Sequence, residues 1–201
     1  MKGKIRMVDQ DKDHLPILLF ENQLSWEAWL EEHHTETKGI WLKIAKKGSA
    51  ISSIDYAEAL ESALCYGWID GQKAALDDQY WLQKFTPRRP KSKWSQQNCD
   101  KAEALIASGR MQSAGYRQVE LAKEDGRWEA AYASQSQIAV PDDFQSELDK
   151  NQKAKVFFST LNSINRYAIL YRIQTAVKPE TRAARIEKFI NMLSKGLKIY
   201  P

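Results

Sequence analysis

Residues 65–98 read CYGWIDGQKAALDDQYWLQKFTPRRPKSKWSQQN. Trp68 to Leu76 and Gln79 to Phe85 have the composition of two strands, and Asp77-Asp78 between them suits a turn, so the pair reads as an antiparallel hairpin. Thr86-Pro87 and Arg89-Pro90 read as loop, because each proline biases the residue before it away from helix. The stretch also sets Tyr66, Trp68, Tyr80, Trp81, Phe85 and Trp94 among Asp70, Arg88, Arg89 and Lys93. Such a mixture is costly unless a surface or a ligand uses it.

Upstream of the hairpin, residues 22–34 have helical spacing at Trp26, Trp29, Leu30 and His33, with Gly39 at the exit. Ile40 to Ile44 reads as a short strand. Ser52 or Ser53 could cap a second helix, carrying Ala57, Leu60 and Leu64 and ending at Gly67. Downstream, Ser92 or Ser95 could cap a helix that reaches Gly109. Ser113 opens another, with Gly126 at its end.

The loop 133–140 and Pro141 mark a candidate domain boundary. Beyond it Phe157, Leu161, Ile164, Ala168 and Tyr171 form one apolar helical stripe, with a break at Ser163. Pro179 sits at a first-turn position, and Ile186, Phe189, Ile190 and Leu193 line the last helix. The expected fold class is α+β: a small antiparallel sheet with flanking helices over residues 1–135, then a helical domain over 141–201. Phe157 or Leu161 is the expected packing hot spot of that domain.

The chain has 201 residues, 43% of them hydrophobic and seven of them tryptophan, enough for a real core. Cys65 and Cys99 follow no metal-ligand or disulfide framework, so reduced thiols in a cytoplasmic protein are expected. The N-terminal residues MKGKIRMVDQDKDHLPILLF lack the order of a signal peptide, and nothing suggests membrane insertion.

Net charge is +4 but uneven. Residues 81–110 carry seven Lys/Arg against two Asp/Glu, a net of +5, and residues 150–201 carry eleven against two, a net of +9. Residues 50–80 and 111–149 each come to −5. These blocks read as solvated faces that complement one another, or as a basic face that recruits an anionic partner.

Arg88 and Arg89 between two prolines form a stiff cationic loop suited to phosphate or carboxylate, with Lys91 and Lys93 close behind. Alternatively the arginines cover tryptophan faces. Asp70, next to Gly71 on a strand, serves either as an ion-pair partner of Arg88 or Arg89 or as a carboxylate that orients a ligand. The expected ligand-binding set is Trp68, Asp70, Arg88, Arg89, Trp94 and Asn98, around a small anionic molecule or an acidic partner. An enzyme using Asp70 and Arg88 in one cleft is the alternative.

Arg182, Arg185 and Lys188 share nearly one helix face, which leaves nucleic acid as a third class of partner. Cys65 has no histidine near it in sequence and reads as structural. His33-His34 lacks the spacing of a helical zinc pair. No phosphate-loop or dinucleotide motif is present, so no cofactor and no metal is expected.

Cys65-Tyr66-Gly67-Trp68-Ile69-Asp70-Gly71, Thr86-Pro87-Arg88-Arg89 and Ser92-Lys93-Trp94-Ser95 with Asn98 resemble the YdeI/OmpD-associated, or bacteriocin-protection, family. So do Gly109-Arg110-Met111, Gly115, Asp125-Gly126-Arg127-Trp128 with Ala131-Tyr132, and Lys178-Pro179-Glu180-Thr181-Arg182 with Arg185-Ile186. The resemblance covers nearly the whole chain. It implies a role in stress tolerance and, by the family name, an outer-membrane porin partner. It assigns no catalytic residue.

Overall fold

A computed structural model describes residues 14–201, so the N-terminal reading of residues 1–13 lies outside the described residues. The elements run β1 (Ile17–Leu19), α1 (Gln23–His33), β2 (Ile40–Ala45), α2 (Tyr56–Cys65), β3 (Trp68–Ala75), β4 (Tyr80–Pro87), α3 (Gln96–Ala107) and α4 (Ser113–Glu124). Four helices follow: α5 (Asp142–Lys150), α6 (Gln152–Thr160), α7 (Ser163–Gln174) and α8 (Pro179–Ser194). The class is α+β, as expected. No helix of the described residues is long and apolar enough to cross a membrane.

The sheet has the order β1-β2-β4-β3. The hairpin β3–β4 is antiparallel, and Asp77 makes its turn by accepting the N–H groups of Gln79 and Tyr80 at 2.9 and 2.8 Å. The sheet is mixed rather than wholly antiparallel, because β1 pairs parallel to β2, with Ile17 opposite Trp41. Pro16 sits just ahead of this short edge strand, where its missing N–H is tolerated.

Strand β4 also continues through Pro87, which was expected to be loop. Arg88 donates its N–H to Gly67 on the β3 side at 3.0 Å. Backbone groups alternate along a strand, so the missing N–H of Pro87 falls on the side where β2 has already ended at the Ile40–Phe85 pair.

The chain divides into two compact units. The first holds the described residues through Ser92 together with Ala102–Gln118; the second holds Lys93–Lys101 and Val119–Pro201. Residues 93–101 and 119–135, grouped with the sheet in the sequence reading, therefore cluster with the C-terminal helices. Backbone bonds from Tyr132 N–H to the Trp94 carbonyl and from Gln96 N–H to the Tyr132 carbonyl tie them there. So does the Trp94–Trp128 ring contact at 4.9 Å.

In the first unit α1 and α2 cover one face of the sheet. Helix α2 is capped by Asp55 and Glu58 in a reciprocal box rather than by Ser52 or Ser53. Ser53 instead accepts from the Ala45 N–H at 3.0 Å. Trp26 is fully buried, stacks on Trp29 at 5.4 Å and donates to the Ala59 carbonyl at 3.1 Å. Trp68 meets both rings edge-on.

In the second unit α5–α8 close around Phe144, Leu148, Phe158, Ile169, Ile173, Phe189 and Leu193. Asn162 caps α7, which resets the helical phase just ahead of Ser163. Within α6, Phe158 rather than Phe157 is buried, one turn on from buried Ala154; Leu161 is also buried, and beyond the break Ile164 is 60% exposed.

Candidate functional site

The hairpin carries a β-bulge between Asp70 and Lys73, where Gly71 and Gln72 lie opposite β4. Buried Gln83 holds it by donating its amide to the carbonyls of Gly71 and Gln72 at 3.0 and 3.2 Å. Bulges bend a strand and re-aim its side chains, and they are common beside sites. Alternation along β4 then sorts the residues. Phe85 and Trp81 face α1 and α2, while Lys84 and Thr86 face the opposite side, where Lys84 lies over Trp41 at 5.6 Å.

That opposite side carries a cavity of about 810 Å³. Lys38, Lys84, Arg88 and Arg89 contribute cations to its lining, Gly71 and Gln72 contribute the bulge, and no carboxylate is among the described lining residues. Gly39 is what lets Lys38 approach. Its φ is +135°, and a Cβ there would lie 2.6 Å from the Phe85 carbonyl oxygen. Arg88 is 6% exposed whereas Arg89 is exposed, so one guanidinium is set into the wall and the other stands at the rim.

Of the six residues expected to form the site, Arg88 and Arg89 line this cavity together. Asp70 does not; it lies on the helix-covered face and accepts from the Tyr56 hydroxyl at 2.8 Å. Trp68 is fully buried in the tryptophan cluster and donates to the His34 carbonyl at 3.1 Å. Trp94 and Asn98 are buried and belong to the second unit. Ser95 caps α3 by accepting the Asn98 N–H at 3.2 Å. Ser92 makes the preceding turn, accepting from the Arg89 N–H at 2.9 Å.

The sequence reading missed Lys38 and Lys84. Lys84, alternating with aromatics on a strand, and Lys38, in the bend before β2, carry no signal of their own until the strand order is known. It also missed the use of Arg110, which bridges Glu61 at 3.1 Å and Glu27 at 3.2 Å. Glu27 further accepts from Ser62 at 2.8 Å, so α1, α2 and the turn before α4 are joined by one polar network. Beside it, burial pushes the Cys65 thiol up to about 11. Burial and the hydrogen bond to Glu31 likewise raise the Tyr66 phenol.

Among the C-terminal cations, Arg182 is bound in bidentate fashion to Asp143, at 2.6 and 2.8 Å, and donates to the Ile173 carbonyl at 3.0 Å. Arg185 donates to the Arg172 carbonyl. These two side chains satisfy last-turn carbonyls of α7, where cations also complement the helix dipole.

Fold and site together define an α+β protein with a cation-lined cavity on its sheet and a separate helical unit. The chain belongs to the family described as a domain of unknown function (DUF8412), whose model matches residues 18–118, just over half of its length. Residues 137–196 match the family described as bacteriocin-protection, YdeI or OmpD-associated. The resemblance read from the sequence is thus shown in the C-terminal part, which includes Lys178–Arg182 and Arg185. The Cys65–Gly71 stretch falls in the other match. No curated protein and no solved structure matches the chain.

Proposed function

We propose that this chain is a binding protein for a small anionic molecule, seated in the sheet cavity against Lys84, Arg88 and Arg89. The observation that carries the reading is the convergence of four cationic side chains on a cavity with no carboxylate among its described lining residues. Its size is that of a small-molecule site. Lys84 and exposed Arg89 are placed to meet a carboxylate or phosphate, and Arg88, set into the wall, adds positive potential behind them. The match of residues 137–196 to the bacteriocin-protection family supports a role in stress tolerance. The buried thiols Cys65 and Cys99 support a cytoplasmic setting. An enzymatic reading would need Asp70 beside Arg88, and Asp70 lies on the other face of the sheet.

Calorimetric titration of the full chain with inorganic phosphate and with succinate tests the reading. Lys84→Ala and Arg89→Ala should each weaken binding by about tenfold, the loss of one charge-assisted hydrogen bond. Lys73→Ala removes the same charge from a residue that lies over the Trp81 ring, outside the cavity, and should leave affinity unchanged. Equal losses in Lys73→Ala and Lys84→Ala would reduce the effect to overall charge and sink the proposal.

A further inference from the structure

The helical unit holds a cavity of its own, of about 670 Å³. One wall comes from a single face of α7, where Ile164, Tyr167, Ala168, Tyr171 and Arg172 recur at helical spacing. The other comes from α8 through Arg185, Lys188 and Phe189. Two stripes noticed separately in the sequence therefore meet here: the apolar run Ile164–Ala168–Tyr171 and the cations Arg185 and Lys188. Both stripes keep accessible members although Ala168 is buried, since Ile164 is 60% exposed and Lys188 is exposed.

We propose that this cavity is a binding site for a small anion that carries a planar ring. The charge argument comes first. Lys93, Arg172, Arg185 and Lys188 all line the cavity, and no carboxylate is among its described lining residues. The described partners of the two arginines are neutral. Arg172 donates to the Ala168 carbonyl at 2.7 Å and to the Tyr200 hydroxyl at 3.4 Å, and Arg185 donates to the Arg172 carbonyl. The like charges of Arg172, Arg185 and Lys188 around one hollow repel one another, and an anion between them relieves that repulsion.

The ring argument is independent of the charge. Tyr167, Tyr171 and Tyr200 line the cavity together with Phe189, and Tyr200, 44% exposed, has ring surface open to a ligand. Tyr171 is locked in place, with Tyr167 at 5.7 Å, Tyr132 edge-on at 4.9 Å and the Lys93 ammonium 4.4 Å above its ring. Aromatic faces of this kind stack on planar groups.

Tyr200 would be a poor wall if the tail carrying it were loose, but buried Asn165 holds that tail. Its side-chain oxygen accepts the N–H groups of Ile199 and Tyr200 at 3.1 and 2.9 Å, and its amide donates to the Tyr200 carbonyl at 3.3 Å. The site is thus preorganised on two helices and a pinned tail, which lowers the ordering cost of binding. A nucleic-acid strand is the poorer fit, because Arg182, which would extend the cationic row, is taken up by Asp143.

The test is calorimetric titration of the full chain at low salt with three ring-bearing anions: phenyl phosphate, benzoate and adenosine monophosphate. Inorganic phosphate and uncharged adenosine serve as references. At least one ring-bearing anion should bind about tenfold tighter than both references. Lys188→Ala, at an exposed position, should weaken that binding by about tenfold. Tyr200→Ala should erase the advantage over inorganic phosphate. Lys84→Ala should leave the binding intact, which separates this site from the sheet cavity. The proposal is overturned if no ring-bearing anion exceeds inorganic phosphate, if adenosine binds as well as its monophosphate, or if Lys84→Ala rather than Lys188→Ala removes the binding.

Discussion

Burial does more than sequence neighbours to set the chemistry of single residues here. Cys65 ends α2 under the Gly115 backbone, 2% exposed, and its thiol is pushed up to about 11. The folded value lies above the ordinary thiol value of 9.0, so the folded state holds its proton more tightly than the unfolded chain. The stabilisation is complete below that ordinary value and fades as pH rises through it toward the folded one. Cys65 should therefore resist alkylation by iodoacetamide at pH 8 in the native protein and react readily in denaturant. Fast native labelling at Cys65, read by peptide mass spectrometry, would contradict this. The bland reading of Cys65 was legible from the absence of a nearby base. The roles of Asp70 and Trp68 were not, because which face of a strand looks at helices is decided by residues far away in sequence.

At the scale of elements, the hairpin and most helices could be read from period and turn chemistry. The errors arose where one local signal outbid another. Asp55 and Glu58 capped α2 in place of the serines, and the buried face of α6 runs through Ala154 and Phe158 rather than through Phe157. A one-position change of phase moved burial from Phe157 to Phe158, which meets Phe144 edge-on at 5.4 Å. Phe158→Ala should cost about 3–5 kcal/mol, the usual range for emptying a buried phenylalanine site. Phe157→Ala should cost markedly less. Urea titration of the two variants side by side decides it, and equal losses would mean that Phe157 belongs to the core as fully as Phe158.

Across the whole molecule, the alternating charge blocks meet different surroundings in the two units. In the helical unit, Asp143 of the acidic block 111–149 takes Arg182 of the basic block 150–201 as a complementary partner. In the sheet unit, Lys84, Arg88 and Arg89 of the block 81–110 gather at one cavity. Arg182 holds the Asp143 carboxyl below its usual value of 3.8. Its contribution is thus present above that value and is lost as pH falls through the lower folded one. Asp143→Asn should destabilise the protein by about 1 kcal/mol at pH 7, since the pair is partly exposed. The difference should close as pH falls through the lowered folded value. Urea unfolding of both chains at pH 7 and at pH 2.5 measures it; a difference independent of pH would rule out the ion pair as the cause.

Taken by itself, the sequence determined the α+β class, the hairpin, the helical tail and the loop at Arg88-Arg89. All of these rest on interactions between residues close together along the chain. The tertiary structure alone decided the rest: β1 as a parallel edge, Lys38 and Lys84 beside the arginine loop, Asp70 on the opposite face, and residues 93–101 with the C-terminal helices. Each depends on strand order or on backbone bonds between distant segments, such as Trp94 to Tyr132. Local spacing carries no record of which partner a free strand edge or an apolar face will meet, because that choice is made by burial of the whole chain at once.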